Sequence, residues 1–545
     1  MIQISQLKLK IPHSEEQLQK KIINLLRIQK TELLSFRILK KSLDARKKPV
    51  LFYVYSVEAV VKNEGRIKKK IRDKNILFRE PVPPYVCIPS GERRMKTSPV
   101  IVGSGPAGLF CAYSLARMGY RPILLERGKR VEERIEDVDK FWKTGMLNPA
   151  SNVQFGEGGA GTFSDGKLNT LIHDASGRGR EVLKIFAEHG ASRGILYESK
   201  PHIGTDVLMK VIKNMRQSLT EMGADIRFHS QVTDLSFARD GEERRVSTLT
   251  VSDTMTGTSY MLPAETVVLA IGHSARDTFA MLKEQEVPME PKSFAVGVRV
   301  EHPQTMINES QYGSGSPGGL PAAPYKLTAN LENGRGVYTF CMCPGGYVVN
   351  ASSEEGKLAV NGMSYSDRSG LNANSAVIVT VTPDDYGIED ILSGVEFQRR
   401  LEKEAFEAGK GGIPVQLFKD FCTDTVSGGP GMVYPQMKGC YTWTNVRRIF
   451  PEEIAASIEE GIRRFGQKLP GYAREDAVIS AVESRTSSPV RILRDDTMQS
   501  RVKGLYPCGE GAGYAGGITS AAMDGLKVAE SVSQIYRPFD KPGKC

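Results

Sequence analysis

The feature that most constrains this chain is a glycine-rich turn between a short apolar strand and an apolar helix. The strand is expected in 98–103, the turn reads G-S-G-P-A-G from Gly103 to Gly108, and the helix is expected over 109–119. A second apolar strand, 121–125, ends at Glu126. This order predicts a unit of two parallel strands joined by a helix, and therefore a chain of the α/β class.

The residues of the turn fit a dinucleotide-binding Rossmann unit. Gly103 makes the tight turn, Gly105 lets the backbone approach a pyrophosphate, and Gly108 lets the helix pack against the strand. Pro106 and Ala107, which lead into the helix, are further candidates, because the N terminus of the helix offers free N–H groups to phosphates. Glu126, followed by Arg127, is placed to accept hydrogen bonds from ribose hydroxyls and would repel a 2′-phosphate, which favours FAD or NAD over NADP.

A second G-x-G-x-x-G sequence, at 313–318, lacks the context of the first. No apolar strand precedes it, and Pro321 and Pro324 follow where a helix would have to begin. We expect a loop there, so the sequence contains one Rossmann unit and no dedicated nicotinamide-nucleotide domain.

Three later segments extend the cofactor pattern toward a flavin. Segment 154–170 is rich in glycine and offers backbone that can pass close to a flat ring. Its candidate cofactor-binding residues are Gly158, Gly159, Gly161, Thr162, Asp165 and Lys167. Asp165 and Lys167 either face the cofactor or complete the loop. Segment 265–276 contains an apolar strand that ends in A-I-G, and its candidates are Ala270 and Gly272. Segment 504–528 reads as strand, glycine-rich turn and helix, with Gly509, Glu510, Gly516, Gly517 and Ile518 as candidates; the helix dipole would stabilise negative charge on a reduced flavin.

These segments resemble those of glutathione-reductase-type flavoproteins. There a strand ending in A-T-G lies beside the adenosine, and a G-D pair, here Gly509-Glu510 with a longer carboxylate, holds the ribityl chain. The expected helix 206–223 and strand 226–235, which contains Val232, resemble the part that contacts adenine through its backbone. The chain as a whole resembles the uncharacterised bacterial FAD-dependent dehydrogenase family within that superfamily, through the stretches 101–127, 154–169, 340–346, 361–381, 481–494 and 508–525. The resemblance implies FAD and oxidoreductase chemistry without fixing a substrate.

The remaining parts of the chain predict a small module before the Rossmann unit and a cap inserted into it. Residues 1–96 hold 23 Lys/Arg and 9 Asp/Glu, a net charge of +14, against +10 for the whole chain. A strand over 2–11, a capping box from Ser14 to Gln17 and a strand over 51–61 suggest a ferredoxin-like fold there. We expect a basic N-terminal domain at 1–92, the FAD-binding domain at 97–290 and 481–540, and a mixed-sheet cap at 291–480, with the Pro-rich stretch Pro81–Pro84 marking the first boundary.

The sequence therefore predicts an FAD-dependent oxidoreductase that transfers hydride between flavin N5 and a small, unknown substrate. Arg368 and Arg485 are the candidate catalytic residues, because arginine suits an anionic or carbonyl substrate; ordinary hydrogen bonding within their loops is the alternative. An NAD(P)H-dependent flavin reductase, with NAD(P)H as a transient donor, and an RNA-associated flavoprotein that docks through its basic N-terminal domain stay open. An acidic protein is another partner for that domain, although its basic run more readily forms a solvated face.

Several functional classes have no support in the sequence. No metal-ligand cluster is apparent. No apolar membrane span or secretory leader is apparent either, and this favours a cytoplasmic protein. No histidine lies in 154–166, so we expect FAD to be bound non-covalently. No cysteine lies in 154–184, where disulfide reductases of this superfamily carry their redox pair, and we expect Cys341 and Cys343 to be packed thiols.

The purified protein should be yellow and should release free FAD when it is denatured. Replacing Gly105 with a bulky residue such as leucine should abolish FAD binding, because the side chain would occupy the pyrophosphate position. Absorbance and cofactor release measure both outcomes. A colourless wild type that folds but cannot be loaded with FAD would overturn this prediction.

Overall fold

The computed structural model describes residues 1–80, 83–170 and 172–539, apart from the side chain of Asp240. Part of the stretch Pro81–Pro84, which we expected to mark a domain boundary, lies outside the described residues, as does the C-terminal Cys545. None of the described helices is both long enough and apolar enough to span a membrane.

The N-terminal residues form a four-stranded antiparallel sheet with two helices. Its elements are β1 Ile2–Lys10, α1 Glu15–Leu26, β2 Leu33–Asp44, β3 Phe52–Val61, α2 Glu64–Lys70 and β4 Ile76–Phe78. The strand order β2-β3-β1-β4 with antiparallel pairing is that of a ferredoxin-like fold, as predicted. The capping box is also present: Gln17 N donates to Ser14 Oγ at 3.3 Å, and Ser14 N donates to Gln17 Oε1 at 2.9 Å.

The segment after this module contains the Rossmann unit. Its elements are β5 Arg93–Arg94, β6 Val100–Val102, α3 Pro106–Arg117, β7 Ile123–Leu125, α4 Val131–Thr144, α5 Arg178–Glu188, α6 Thr205–Glu221, β8 Asp225–Arg227, β9 Ser230–Asp240, β10 Glu243–Asp253, β11 Ser259–Pro263, β12 Val267–Leu269, α7 Arg276–Glu284 and β13 Met289–Pro291. Helix α3 begins at Pro106, earlier than the predicted 109, because the fixed φ of proline and its missing N–H suit the first helical position.

The strand predicted over 226–235 was wrong as a single element. The chain turns at His229, whose φ is +53°. The turn places β8 in the Rossmann sheet and β9 in a separate three-stranded antiparallel sheet of order β11-β10-β9. A left-handed residue interrupts a strand in a way that the apolar pattern does not reveal.

The cap elements follow in chain order. They are β14 Phe294–Pro303, α8 Gln304–Tyr312, β15 Thr328–Asn330, β16 Gly336–Cys343, β17 Tyr347–Asn350, β18 Val360–Met363, β19 Asn372–Val381, α9 Pro383–Tyr386, α10 Ser393–Ala408, β20 Ile413–Leu417, α11 Phe418–Cys422, β21 Met437–Lys438, β22 Tyr441–Trp443, α12 Glu452–Lys468 and β23 Val478–Glu483. Seven strands form a sheet in the order β15-β16-β19-β14-β23-β20-β22. The sheet is mixed, as predicted, because β20 and β22 are parallel while the other neighbours are antiparallel. The second G-x-G-x-x-G sequence lies in a loop after α8, also as predicted.

The chain then returns to the Rossmann unit through β24 Val490–Ile492, β25 Leu505–Pro507, α13 Ile518–Ile535 and β26 Tyr536–Arg537. Strands β8, β7, β6, β12 and β25 form one parallel sheet in that order. Helices α3 and α13 pack closely against each other at Gly525, where an added Cβ would lie 2.2 Å from the carbonyl oxygen of Ala107. This contact brings the first turns of the two helices to the same side of the sheet.

The central cap strand β14 carries a fully buried carboxyl group at Glu301. Its Oε1 accepts hydrogen bonds from Asn372 Nδ2 at 3.0 Å and from Gln436 N at 2.8 Å. Its Oε2 has no partner among the described residues. Burial raises the pKa of Glu301 from 4.5 to about 7, so the folded protein holds a proton here that the unfolded chain loses.

The stability contributed by the protonated Glu301 should therefore be fully present below pH 4.5 and lost as the pH rises through about 7. Glu301→Gln cannot titrate. The difference between its free energy of unfolding and that of the wild type should therefore rise in favour of the variant, by up to about 3 kcal/mol, as the pH increases from 4.5 through about 7. Denaturant unfolding at several pH values measures the difference, with the exposed Glu404→Gln as control. A difference that stays constant with pH would contradict the assignment.

Candidate functional site

Two helix N termini and one glycine-rich segment meet at the edge of the parallel sheet. Helix α3 begins after Gly105, and α13 begins after Gly517. Segment 154–170 lies between them: a Cβ added to Gly159 would lie 2.9 Å from Gly105 Cα, and one added to Gly161 would lie 3.0 Å from Ile518 Cγ1. The segment thus contacts the first turns of both helices.

Some of the predicted glycines are required for this packing. Gly103 has a φ of +102°, and its added Cβ would lie 2.4 Å from the carbonyl oxygen of Ala270. A Cβ on Gly108 would lie 1.8 Å from the carbonyl oxygen of Gly103, and one on Gly158 would lie 2.2 Å from Thr162 Oγ1. These contacts leave no room for side chains.

Other predicted glycines face unfilled space. A Cβ on Gly105 would come no closer than 3.8 Å to another heavy atom, and no atom lies within 4 Å of one on Gly272, Gly516 or Gly517. Bare backbone at two helix N termini suits the phosphates and flat ring of a flavin dinucleotide. The residues present therefore fit FAD.

Glu126 lies at the end of β7, as predicted, and its carboxylate already accepts four hydrogen bonds. Oε2 accepts from Ser104 N at 2.9 Å and Ser104 Oγ at 2.7 Å. Oε1 accepts from Gly128 N at 2.9 Å and Gly156 N at 3.0 Å. Glu126 thus joins the first glycine-rich turn to segment 154–170, and its bond to ribose stays a prediction.

The remaining candidates of the adenosine side have varied surroundings. Arg127 donates to Asp277 Oδ1 at 3.0 Å, and its guanidinium carbon lies 4.4 Å from the ring centroid of Phe155. Val232 is buried in β9, and the backbone N–H of Ala270 donates to the carbonyl oxygen of Val102 at 2.9 Å. Their contacts with a cofactor remain predictions.

The sequence analysis missed Arg134, which fixes the shape of the glycine-rich segment. Its fully buried guanidinium donates to five carbonyl oxygens at 2.7–3.3 Å, those of Asn152, Val153, Gly156, Glu157 and Gly159. Burial lowers the pKa of Arg134 to about 10. A signal was present, because Arg134 lies on the same helical face as the buried Val131, Val138 and Phe141.

The Gly509–Glu510 turn is held by an ion pair that was also missed. Gly509 N donates to Asp524 Oδ2 at 2.8 Å, and Arg494 binds both oxygens of Asp524 at 2.7 and 2.8 Å. Burial raises the pKa of Glu510 to about 7. The turn is rigid because a helix residue, Asp524 in α13, holds its backbone.

Arg368 is brought next to Asp165, so two segments distant in sequence meet. Arg368 Nε donates to Asp165 Oδ1 at 3.0 Å, and Nη2 lies 2.5 Å from Oδ2. The buried Asp165 also lies 3.1 Å from Lys167 Nζ. Although burial opposes charge on Asp165, Lys167 and Arg368 hold its pKa below the ordinary value.

Arg485 belongs to a buried cluster at the other end of the site. Arg485 and Arg276 each bind both oxygens of Glu402, with closest contacts of 2.7 Å. Arg485 Nη1 also donates to Ser274 Oγ at 3.2 Å. Burial, together with these two arginines, lowers the pKa of His273 to about 3, which makes it an unsuitable proton donor near neutral pH.

Comparisons with known proteins agree with this geometry. Residues 293–486 match the family described as FAD-dependent protein, C-terminal domain-like; residues 101–136 match an NAD(P)-binding Rossmann-like domain; and residues 1–60 match a domain of unknown function. An uncharacterized protein of Clostridium beijerinckii is 46% identical over 546 residues, covering 99% of each chain.

Two solved structures match the chain at low sequence identity. The glycerol-3-phosphate dehydrogenase from Bacillus halodurans complexed with FAD is 12% identical, and the match covers 80% of this chain and 64% of that chain with a TM-score of 0.36. A flavoprotein/dehydrogenase from Cytophaga hutchinsonii is 11% identical over 80% of this chain and 78% of that chain, with a TM-score of 0.33.

Arg134→Met should destabilise the protein by about 3–5 kcal/mol, because it leaves several buried carbonyl oxygens without donors. Segment 154–170 should then become sensitive to proteases, and FAD binding should weaken. Unfolding, limited proteolysis and cofactor titration measure these effects. Lys140→Met, which removes an exposed cation from the same helix, should change none of them; equal behaviour of the two variants would refute the role of Arg134.

Proposed function

We propose that this chain, which belongs to the family of FAD-dependent proteins, is an oxidoreductase that transfers hydride between bound FAD and a small substrate. The observation that carries the proposal is the convergence of the α3 and α13 N termini on segment 154–170, with the bare backbone of Gly105 and Gly517 beside unfilled space.

The residues around this space divide between the two halves of the cofactor. The α3 N terminus would receive the pyrophosphate, and the ribose would lie near Glu126. The Gly509–Glu510 turn and the α13 N terminus would hold the ribityl chain and the flavin edge, where the helix dipole stabilises negative charge. Bound FAD supplies the hydride chemistry at N5, while the protein supplies orientation and electric field.

Arg368 and Arg485 are proposed to act on the substrate side. Arg368 remains 12% exposed beside Asp165, and Arg485 is 5% exposed beside Glu402. Each guanidinium is fixed by a carboxylate, so its remaining surface is held in one orientation. A fixed cation orients a carbonyl or carboxylate with little loss of conformational freedom.

The test is anaerobic bleaching of the bound flavin by a panel of small metabolites that includes NADH and NADPH. We expect at least one small organic compound to reduce the flavin, and Gly105→Leu should give no signal. Reduction by NADH or NADPH alone would favour the flavin-reductase alternative. A folded wild type that binds no FAD would overturn the proposed function.

Once the reducing compound is identified, Arg368→Ala and Arg485→Ala should still retain FAD. The compound should reduce their bound flavin at least about tenfold more slowly than that of the wild type, because the substrate loses its orientation. Arg448→Ala, which removes an arginine that is 72% exposed, is the matched control. Loss of FAD from both variants would place the two arginines on the cofactor instead. Unchanged rates would leave them with a purely structural role.

A further inference from the structure

Cys341 and Cys343 end strand β16, and the turn after them contacts the segment that carries Arg368. Gly370 N donates to the carbonyl oxygen of Gly345 at 3.1 Å, and Ser364 Oγ donates to that of Pro344 at 2.9 Å. Arg368 in turn pairs with Asp165. The turn after the two cysteines is thus linked to the segment that carries Arg368 by hydrogen bonds. The ion pair of Arg368 with Asp165 links that segment to the glycine-rich segment of the proposed cofactor site.

The backbone at the two cysteines departs from a regular strand. The register shifts between Phe340 and Cys343, and Cys341 has a φ of +42°. In a regular strand, Cα atoms two residues apart are separated by about 6.6 Å, near the upper limit for a disulfide. A bulged strand bends, which shortens this separation. The sulfur of Cys343 already lies 3.2 Å from the carbonyl oxygen of Cys341.

Two cations flank this pair of thiols. The fully buried Arg299 donates from Nη1 and Nη2 to the carbonyl oxygen of Cys341 at 3.3 and 3.4 Å, and Nη1 lies 4.0 Å from Cys343 Sγ. Its Nε pairs with Glu483 at 2.8 Å. The second cation, Lys167, has a buried Nζ that lies 3.1 Å from Asp165 Oδ2.

These surroundings act in opposite directions on the pKa values of the two thiols. The hydrogen bond from Cys343, followed by the charges of Lys167 and Arg299, holds the pKa of Cys341 well below its usual range, with Asp165 opposing. Burial raises the pKa of Cys343. The acidic groups that sense the Cys341 charge are Glu483, next to Arg299, and Glu510, on the turn proposed to hold the ribityl chain. The side chain of Cys341 therefore lies close enough to Glu483 and to Glu510, on the turn proposed to hold the ribityl chain, for its charge to act on both carboxyl groups.

We propose that Cys341 and Cys343 form a dithiol–disulfide redox centre that exchanges two electrons with FAD, and that the substrate is a small dithiol or disulfide. This inference rests on the proposed binding of FAD and narrows the substrate to a dithiol or disulfide, whose electrons would pass through the two cysteines rather than directly to N5 as a hydride. The sequence argument against a disulfide reductase concerned cysteines on segment 154–184, whereas this pair lies on a cap strand.

The proposed step balances as follows. Cys341 enters as the thiolate and Cys343 as the thiol, one Sγ–Sγ bond forms, and the S–H bond of Cys343 breaks. Two electrons pass to FAD with two protons, one from Cys343 and one from solvent. Thiol–disulfide exchange with a dithiol substrate then restores both cysteines, while the substrate becomes a disulfide.

Anaerobic reductive titration of the oxidised, FAD-loaded protein tests the proposal. The wild type should accept two electron pairs per chain, one for FAD and one for the disulfide. Cys341→Ser and Cys343→Ser should each accept one pair, and Cys422→Ser, a control on α11, should accept two. A wild type that retains FAD and is bleached by a metabolite but accepts only one pair, with both thiols still open to alkylation, would overturn the redox centre and leave the proposed function standing.

Alkylation by iodoacetamide, followed by mass spectrometry, provides a readout that is independent of turnover. Cys341 should react fastest of the described cysteines near neutral pH, because the thiolate is the nucleophile. Lys167→Met should raise the pH at which the alkylation of Cys341 reaches half of its maximal rate, because the thiol pKa rises. Lys184→Met, on the surface of α5, should have no effect. A Cys341 that reacts no faster than Cys422 would also overturn the proposal.

Discussion

The proposed cofactor site depends on one buried arginine, Arg134. Its guanidinium binds the backbone carbonyl oxygens of the glycine-rich segment. Three of the residues in 152–159 are glycines, and glycine loses more conformational entropy on ordering than any other residue. Arg134 supplies five donors from a neighbouring helix and binds five carbonyl oxygens of this stretch. The contact of Gly159 with Gly105 and the pairing of Asp165 with Arg368 both require the segment in this position.

The buried charge of Arg134 is tolerated because each of its three guanidinium nitrogens donates a hydrogen bond. Removing a guanidinium from water costs several kcal/mol, but hydrogen bonds that involve a charged group contribute about 1.5–3 kcal/mol each. Glu126 acts in a similar way on the opposite side, since its carboxylate accepts backbone hydrogen bonds from Ser104, Gly128 and Gly156. The cationic Arg134 therefore binds carbonyl groups of the segment. The anionic Glu126 binds the N–H group of Gly156 in the segment and those of Ser104 and Gly128 next to it. The glycine backbone is fixed without any side chain entering the space proposed for FAD.

The parts predicted correctly from the sequence are those with local causes. The strand, turn and helix around Gly103–Gly108 and the capping box at Ser14 are each specified by residues a few positions apart. The parts that were missed depend on partners distant in sequence: Arg134 with segment 152–159, and Asp524 with the Gly509 turn. The helical face of Arg134 indicates that its side chain is buried, but no sequence pattern identifies the partners of Arg134 or Asp524. The break at His229 was missed because a single left-handed residue does not alter the apolar pattern of a strand.

The charges around the site are distributed unevenly, and this has a chemical consequence. At the Gly272 end, Arg276 and Arg485 face Glu402 and Glu354, Arg399 and Lys357 also pair with Glu354, and the neighbouring His273 stays neutral. At the other end, Arg299 pairs with Glu483 and Lys167 with Asp165, but Arg368 adds a further cation beside the same aspartate. Burial raises the pKa of Glu483 to about 7, so this carboxyl is only partly ionised near neutral pH. Arg299 and Lys167 lower the pKa of Cys341, and the same cations would favour an anionic substrate group or the negative charge of a reduced flavin at that end of the site.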